Sequence, residues 1–147
     1  MINWTYLGKE ITDVSQIGSP FGFCYKITNI SNGMIYYGSK QVVSIRKKKF
    51  GKRKISQMPD KRKSKYEKII KEMPGWREYT SSSKSLNFDI HEKHHEYTKE
   101  ILYLCSSKSE LKYKEAEYIM CEQALLRDNC YNANISIKQV GKPNFNK

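Results

Sequence analysis

The chain has no pair of cysteines spaced as Cys-x-x-Cys. Cys24, Cys105, Cys121 and Cys130 stand alone among 147 residues, which argues against structural zinc and against a disulfide scaffold and reads as small buried hydrophobes. No apolar run approaches the roughly 18 residues of a membrane-spanning helix. Met1-Ile2-Asn3-Trp4 opens without a basic segment followed by an apolar core, so no secretory leader is expected, and the chain is expected in the cytoplasm of the cell that makes it. Acid is scarce as well: 15 Asp and Glu stand against 27 Lys and Arg, a net charge of +12. That surplus favours a polyanionic partner. Nucleic acid comes first, because phosphate neutralisation supplies most non-specific binding energy. A membrane-surface role would require an amphipathic helix with aromatic anchors, which the basic run lacks. His91, His94 and His95 lie among acids and lysines and read as a solvated turn rather than a metal site.

What is present begins with Gly22 to Lys40. Phe23, Tyr25 and Ile27 alternate with Cys24, Lys26 and Thr28, the period of a half-buried strand. Ser31-Asn32-Gly33 supplies a hairpin turn, and Met34 to Tyr37 returns as a β-rich strand ending at Gly38. Tyr25 and Tyr36 sit on opposite arms and can face one site. Before the hairpin, Trp4 to Thr12 predicts a short strand pair about a glycine turn, closed off by Gly18-Ser19-Pro20. After it, Ser39 to Ile45 fits a helical turn or an extended stretch equally. Residues 46–65 are dominated by charge: Arg46-Lys47-Lys48-Lys49, Lys52-Arg53-Lys54, Lys61-Arg62-Lys63 and Lys65. Such blocks repel themselves; the plain account is a solubilising loop, the sharper one an arm that binds DNA backbone without reading bases. Spacing of Tyr66, Ile69, Ile70 and Met73 predicts a helix over Arg62 to Met73, ended by Pro74-Gly75. Ser81-Ser82-Ser83 caps a helix carrying Leu86, Phe88 and Ile90, and hydroxyls there can also hold a phosphate. Tyr97 to Cys105 is a third strand, and a long helix runs from about Glu110 to Leu126 before Asp128-Asn129. The expected fold class is α/β: a small central antiparallel sheet of three main strands flanked by helices, with a short N-terminal strand pair. The length suits one domain over 1–147.

Phe23-Cys24-Tyr25 and Tyr36-Tyr37-Gly38, one tyrosine per arm of the hairpin, resemble the paired triplets of the GIY-YIG nuclease family. Phe23 stands in place of the first glycine and Tyr37 in place of the middle aliphatic residue. The order of parts that follows extends the resemblance over about 20–136: a basic segment (about 46–65), serines before a helix, a strand containing Ile101-Leu102, an acidic helix and a closing Tyr131-Asn132. It is most like the small phage-encoded enzymes of that family, homing-type endonucleases included.

The resemblance implies a DNA endonuclease using Mg²⁺ or Mn²⁺. Tyr25 and Tyr36 match the motif tyrosines, one taking the proton from the attacking water, Tyr25 for preference, while the other orients it. Arg46 falls where the family's catalytic arginine commonly lies, with Arg53, Arg62 and Arg77 as alternatives. Glu115 matches the metal-binding glutamate; Glu117 would point about 200° around the helix. Asn132 matches the asparagine that helps to position the site. Lys47, Lys48, Lys49, Lys52, Arg53, Lys54, Lys61, Arg62 and Lys63 are the expected DNA contacts. The chain ends too soon for the separate DNA-binding module of many homing-type relatives, so site choice falls to the 46–65 insertion, to a homodimer or to another partner. The alternative function is a catalytically silent nucleic-acid-binding protein with the same fold.

Overall fold

The computed structural model describes residues 2–60, 65–135 and 142. Its centre is β3 (Gly22–Asn29), bonded antiparallel on one side to β4 (Ile35–Gln41) and on the other to β7 (Tyr97–Cys105). These are the three main strands expected. The N-terminal pair, β1 (Trp4–Tyr6) and β2 (Lys9–Ile11), extends them into a five-stranded sheet of order β2-β1-β7-β3-β4. One pairing, β1 with β7, is parallel. Leu7 and Gly8 turn the first pair with positive φ at both positions, as a tight hairpin turn requires.

Helices cover both faces, so β3 is buried on both. Phe23 and Tyr25 meet Trp4 and Trp76 in an aromatic cluster with centroids 4.9 to 6.3 Å apart. The Trp4 indole donates to the Trp76 carbonyl at 2.8 Å. Burial of each such ring contributes about 1.5–3 kcal/mol. On the opposite face lies α3 (Lys108–Cys121), whose N-cap Ser107 accepts from the Glu110 amide. Cys24, on the other face of the strand from Phe23 and Tyr25, is buried with Cys105 and Leu111, as a small hydrophobe would be. The Cys105 hydrogen bond, then burial, push its thiol well up. Cys121 is exposed and Cys130 only part-buried, so two of the four cysteines are core residues.

Ser83 caps α2 (Lys84–His91) by accepting from the Leu86 amide; Leu86 and Ile90 are buried, Phe88 is not. The long helix ends at Cys121 rather than Leu126, because Gln123 takes a positive φ and turns the chain, leaving Ala124 buried.

The segment after β4 departs most from expectation. Extended backbone continues through β5 (Val43–Lys49), which pairs antiparallel with β6 (Tyr66–Glu72) in a separate two-stranded sheet. The predicted helix over Arg62 to Met73 is thus overturned where it is described. Tyr66, Ile69 and Ile70 are strand formers, and pairing with β5 satisfies their backbone where no buried face was available to an amphipathic helix. A five-residue helix, α1 (Lys52–Ser56), sits beyond β5. Lys61, Arg62 and Lys63 lie outside the described residues.

Candidate active site

Strand register makes the tyrosine pair. Tyr25 lies opposite Gly38 and Ile27 opposite Tyr36, so alternation puts both rings on one face, 6.1 Å apart and inclined at 37°. Gly38 makes room for them. A Cβ on it would stand 2.6 Å from Tyr25 Oη and 2.9 Å from Tyr36 Cε1. The two phenols differ in access. Tyr25 is 1 % exposed, enclosed by Trp4, Phe23 and Tyr79, whereas Tyr36 lines a cleft of about 590 Å³ and sits 3.1 Å from the Ser82 hydroxyl. Burial drives Tyr25 well above the ordinary tyrosine value. It also raises Tyr36, with Glu115 adding to the rise and Ser82 opposing it. Both are therefore neutral phenols at pH 7 in the free protein.

β4 is the edge strand, and the cleft wraps around it. One wall is the start of α2, with Ser82 and Lys84; the other is α3, with Lys112 and Glu115. Ser39, one residue past the glycine and so on the opposite face from Tyr36, donates to Glu115 Oε2 at 2.7 Å. Glu117 is exposed and pairs with Lys114 at 3.3 Å instead. Asn132 closes the edge: its amide oxygen accepts from the Tyr37 N–H at 3.0 Å and its NH₂ donates to the Tyr37 carbonyl at 2.8 Å. A side-chain amide thus stands in for the strand that β4 lacks on that side. The preceding residues are held by Ile35 N–H to Asn129 and Tyr131 N–H to Ile35. Tyr131 in turn donates to Asp89 at 2.5 Å and accepts from Asn29 and Asn32, tying hairpin, α2 and closing segment together.

Of the residues named from sequence, Tyr36, Glu115 and Asn132 line this cleft, and Tyr25 packs against Tyr36. Arg46 does not join them. It lies exposed on β5, opposite Ile69, because the chain leaves β4 as a further strand rather than turning into a helix beside the sheet. Arg53 is exposed on α1, and Arg77 leans over the Trp76 ring and pairs with Glu72 at 3.8 Å. Lys47, Lys48 and Lys49 are exposed on β5, and Lys52 and Lys54 on α1. The cations on the cleft walls are Lys84 and Lys112, neither singled out beforehand. Lys112 was within reach of the helix-phase argument, being three residues before Glu115 and so on the same face; Ser39 and Lys84 had no comparable signal.

Among the described residues no group of three His, Cys, Asp or Glu could cage a metal. A lone carboxylate beside a hydroxyl suits an ion that keeps its waters and takes phosphate oxygens as further ligands, which is the habit of Mg²⁺. No helix among the described residues is long and apolar enough to cross a membrane. The family described as "Putative endonuclease segE, GIY-YIG domain" matches residues 4–135. No curated protein and no solved structure matches the chain.

Proposed function

Because the chain belongs to the GIY-YIG nuclease family, we propose that it is a DNA endonuclease that hydrolyses phosphodiester bonds with one divalent ion at Glu115 and a tyrosine assisting water attack. The observation that carries this reading is the cleft at the edge of β4, with Tyr36 on it and Glu115 facing it from α3. Mg²⁺ or Mn²⁺ bound at Glu115 supplies stabilisation of charge on the phosphate oxygens. The remaining roles belong to the chain's own groups. Tyr36, the phenol open to the cleft, contacts the attacking water; Tyr25, beneath it, holds the ring in place, which reverses the preference drawn from sequence. The Glu115 charge helps to keep Tyr36 protonated, so proton acceptance by Tyr36 requires that charge to be offset. Lys84 and Lys112 take the phosphate-stabilising part first given to Arg46. Asn132 keeps β4, and with it Tyr36 and Ser39, in register. The cations of β5 and α1, with Lys61, Arg62 and Lys63, bind the DNA backbone.

Supercoiled plasmid nicking tests the reading. Cleavage is expected with Mg²⁺ and not with EDTA, and Glu115→Gln should lower it by roughly two orders of magnitude or more, with DNA affinity unchanged or slightly higher. Glu117→Gln should cut like the parent. Tight binding without cleavage by the parent would establish the silent binder instead, and normal cutting by Glu115→Gln would remove the metal assignment.

A further inference from the structure

The β5–β6 ribbon carries cations on both faces. Alternation puts Lys47, Lys49 and Lys68 on one face and Arg46, Lys48 and Lys71 on the other, all of them exposed. Glu67, opposite Lys48, is the acid among them, while Glu72 at the root accepts from the Trp76 indole at 2.8 Å. Lys47 and Lys68 stand directly opposite one another, an arrangement that opposes strand pairing unless an anion lies nearby. The root is anchored: Val42 and Val43 are buried, and both amides donate to the Phe21 carbonyl. Beyond it the paired strands lie open on both sides, with only Ile69 part-buried along β6.

A ribbon lying flat on a duplex needs one cationic face. Cations on both faces match a setting with phosphates on both sides, which is a groove. The major groove, about 12 Å wide, admits a two-stranded ribbon, and the minor groove, about 6 Å wide, does not. We infer that the β5–β6 ribbon enters the major groove of duplex DNA, each face meeting the phosphates of one strand. This rests on the nuclease reading for its substrate and adds where that substrate is gripped. The chain from Tyr36 to Lys47 reaches at most about 40 Å, so the occupied groove lies within roughly twelve base pairs of the cut.

Two double variants separate the faces: Lys47→Ser with Lys68→Ser, and Arg46→Ser with Lys71→Ser. Each removes two cations at exposed positions and should reduce the slope of log affinity against log salt by about 1.8, a loss of roughly thirtyfold at 0.15 M salt. A loss confined to one pair would mean that the ribbon lies flat, and would overturn the inference. Dimethyl sulfate footprinting of the otherwise unaltered chain, in a Glu115→Gln background with EDTA so that the duplex stays intact, needs no ribbon variant. Guanine N7, in the major groove, should be protected and adenine N3, in the minor groove, should not. Protection at N3 alone, or no duplex binding, would equally overturn it. Plasmid nicking by the parent with no N7 footprint would leave the nuclease reading intact and sink the ribbon assignment. An N7 footprint on a chain that never cuts would do the reverse.

Discussion

Replacing Gly38 by alanine tests whether the tyrosine pair is the working centre of the cleft. The added Cβ would meet Tyr25 Oη at 2.6 Å, Tyr25 Cζ at 2.7 Å and Tyr36 Cε1 at 2.9 Å. Relief requires movements of roughly half an ångström or more to reach ordinary van der Waals separation. Tyr25 has little room to retreat, since Trp4 at 5.0 Å and Tyr79 at 6.1 Å enclose its ring. Tyr36, at the cleft, is the ring free to give. Overpacking of this kind costs about 1–3 kcal/mol, a fall in melting temperature of about 3–10 °C for a chain of this size. Displacing Tyr36 should cost cleavage separately, by about 10- to 100-fold, because a catalytic group misplaced by about an ångström loses that much. Gly33→Ala is the control. Gly33 has φ +74° and open space around its Cβ position, so alanine there strains the backbone by about 1 kcal/mol without touching the cleft. Single-turnover plasmid nicking and thermal melting of both variants, below either midpoint, separate the effects. Parent-like nicking by Gly38→Ala would refute the reasoning, as would an equal loss in Gly33→Ala, which would reduce the effect to stability.

Asn132→Leu removes both bonds to Tyr37 and leaves an edge N–H and C=O without their amide partner; a loss of about 1–3 kcal/mol is expected, with faster hydrogen exchange at the Tyr37 amide, and unchanged exchange there would discard the edge-closing role. Lys99 is buried with its ammonium donating to the Arg77 and Tyr79 carbonyls at 2.6 and 3.2 Å, and burial lowers it from the usual 10.5 to about 8. Between those values the unfolded chain holds a proton that the folded chain has released, so this group makes stability rise with pH through that window, and its full penalty is felt below about pH 8. Melting of the parent against Lys99→Met from pH 7.5 to 9.5 should show the rise in the parent alone, and parallel curves would exclude it.

Two kinds of signal divided what sequence could reveal. The hairpin was legible because its signals are local: a period of two, an Asn-Gly turn and a closing glycine at Gly38 all lie within Gly22 to Lys40. The resemblance named Glu115 and the pitch of one helix set Glu117 apart from it; Glu115 accepts from Ser39, while Glu117 pairs with Lys114. The ribbon defeated the same method, since Tyr66, Ile69, Ile70 and Met73 satisfy a helical spacing while alternation of the lysines is masked by charge on both faces. Periodicity identifies an element through the face it buries, and an element open on both sides has no such face. Arg46 shows a related point: distance along the chain from Gly38 says how far a residue can reach and nothing about direction, and extended backbone sets it on β5, outside the cleft lining. The cleft itself is assembled from segments 76 and 95 residues apart, through Ser39 to Glu115 and Tyr37 to Asn132. Resemblance to a family could name the long-range partners Glu115 and Asn132, because it carries the memory of a fold. Lys84 and Ser39 lay outside that pattern: only packing about an edge strand brings Lys84 of α2 into the cleft with Tyr36 and Glu115 of α3 against Ser39.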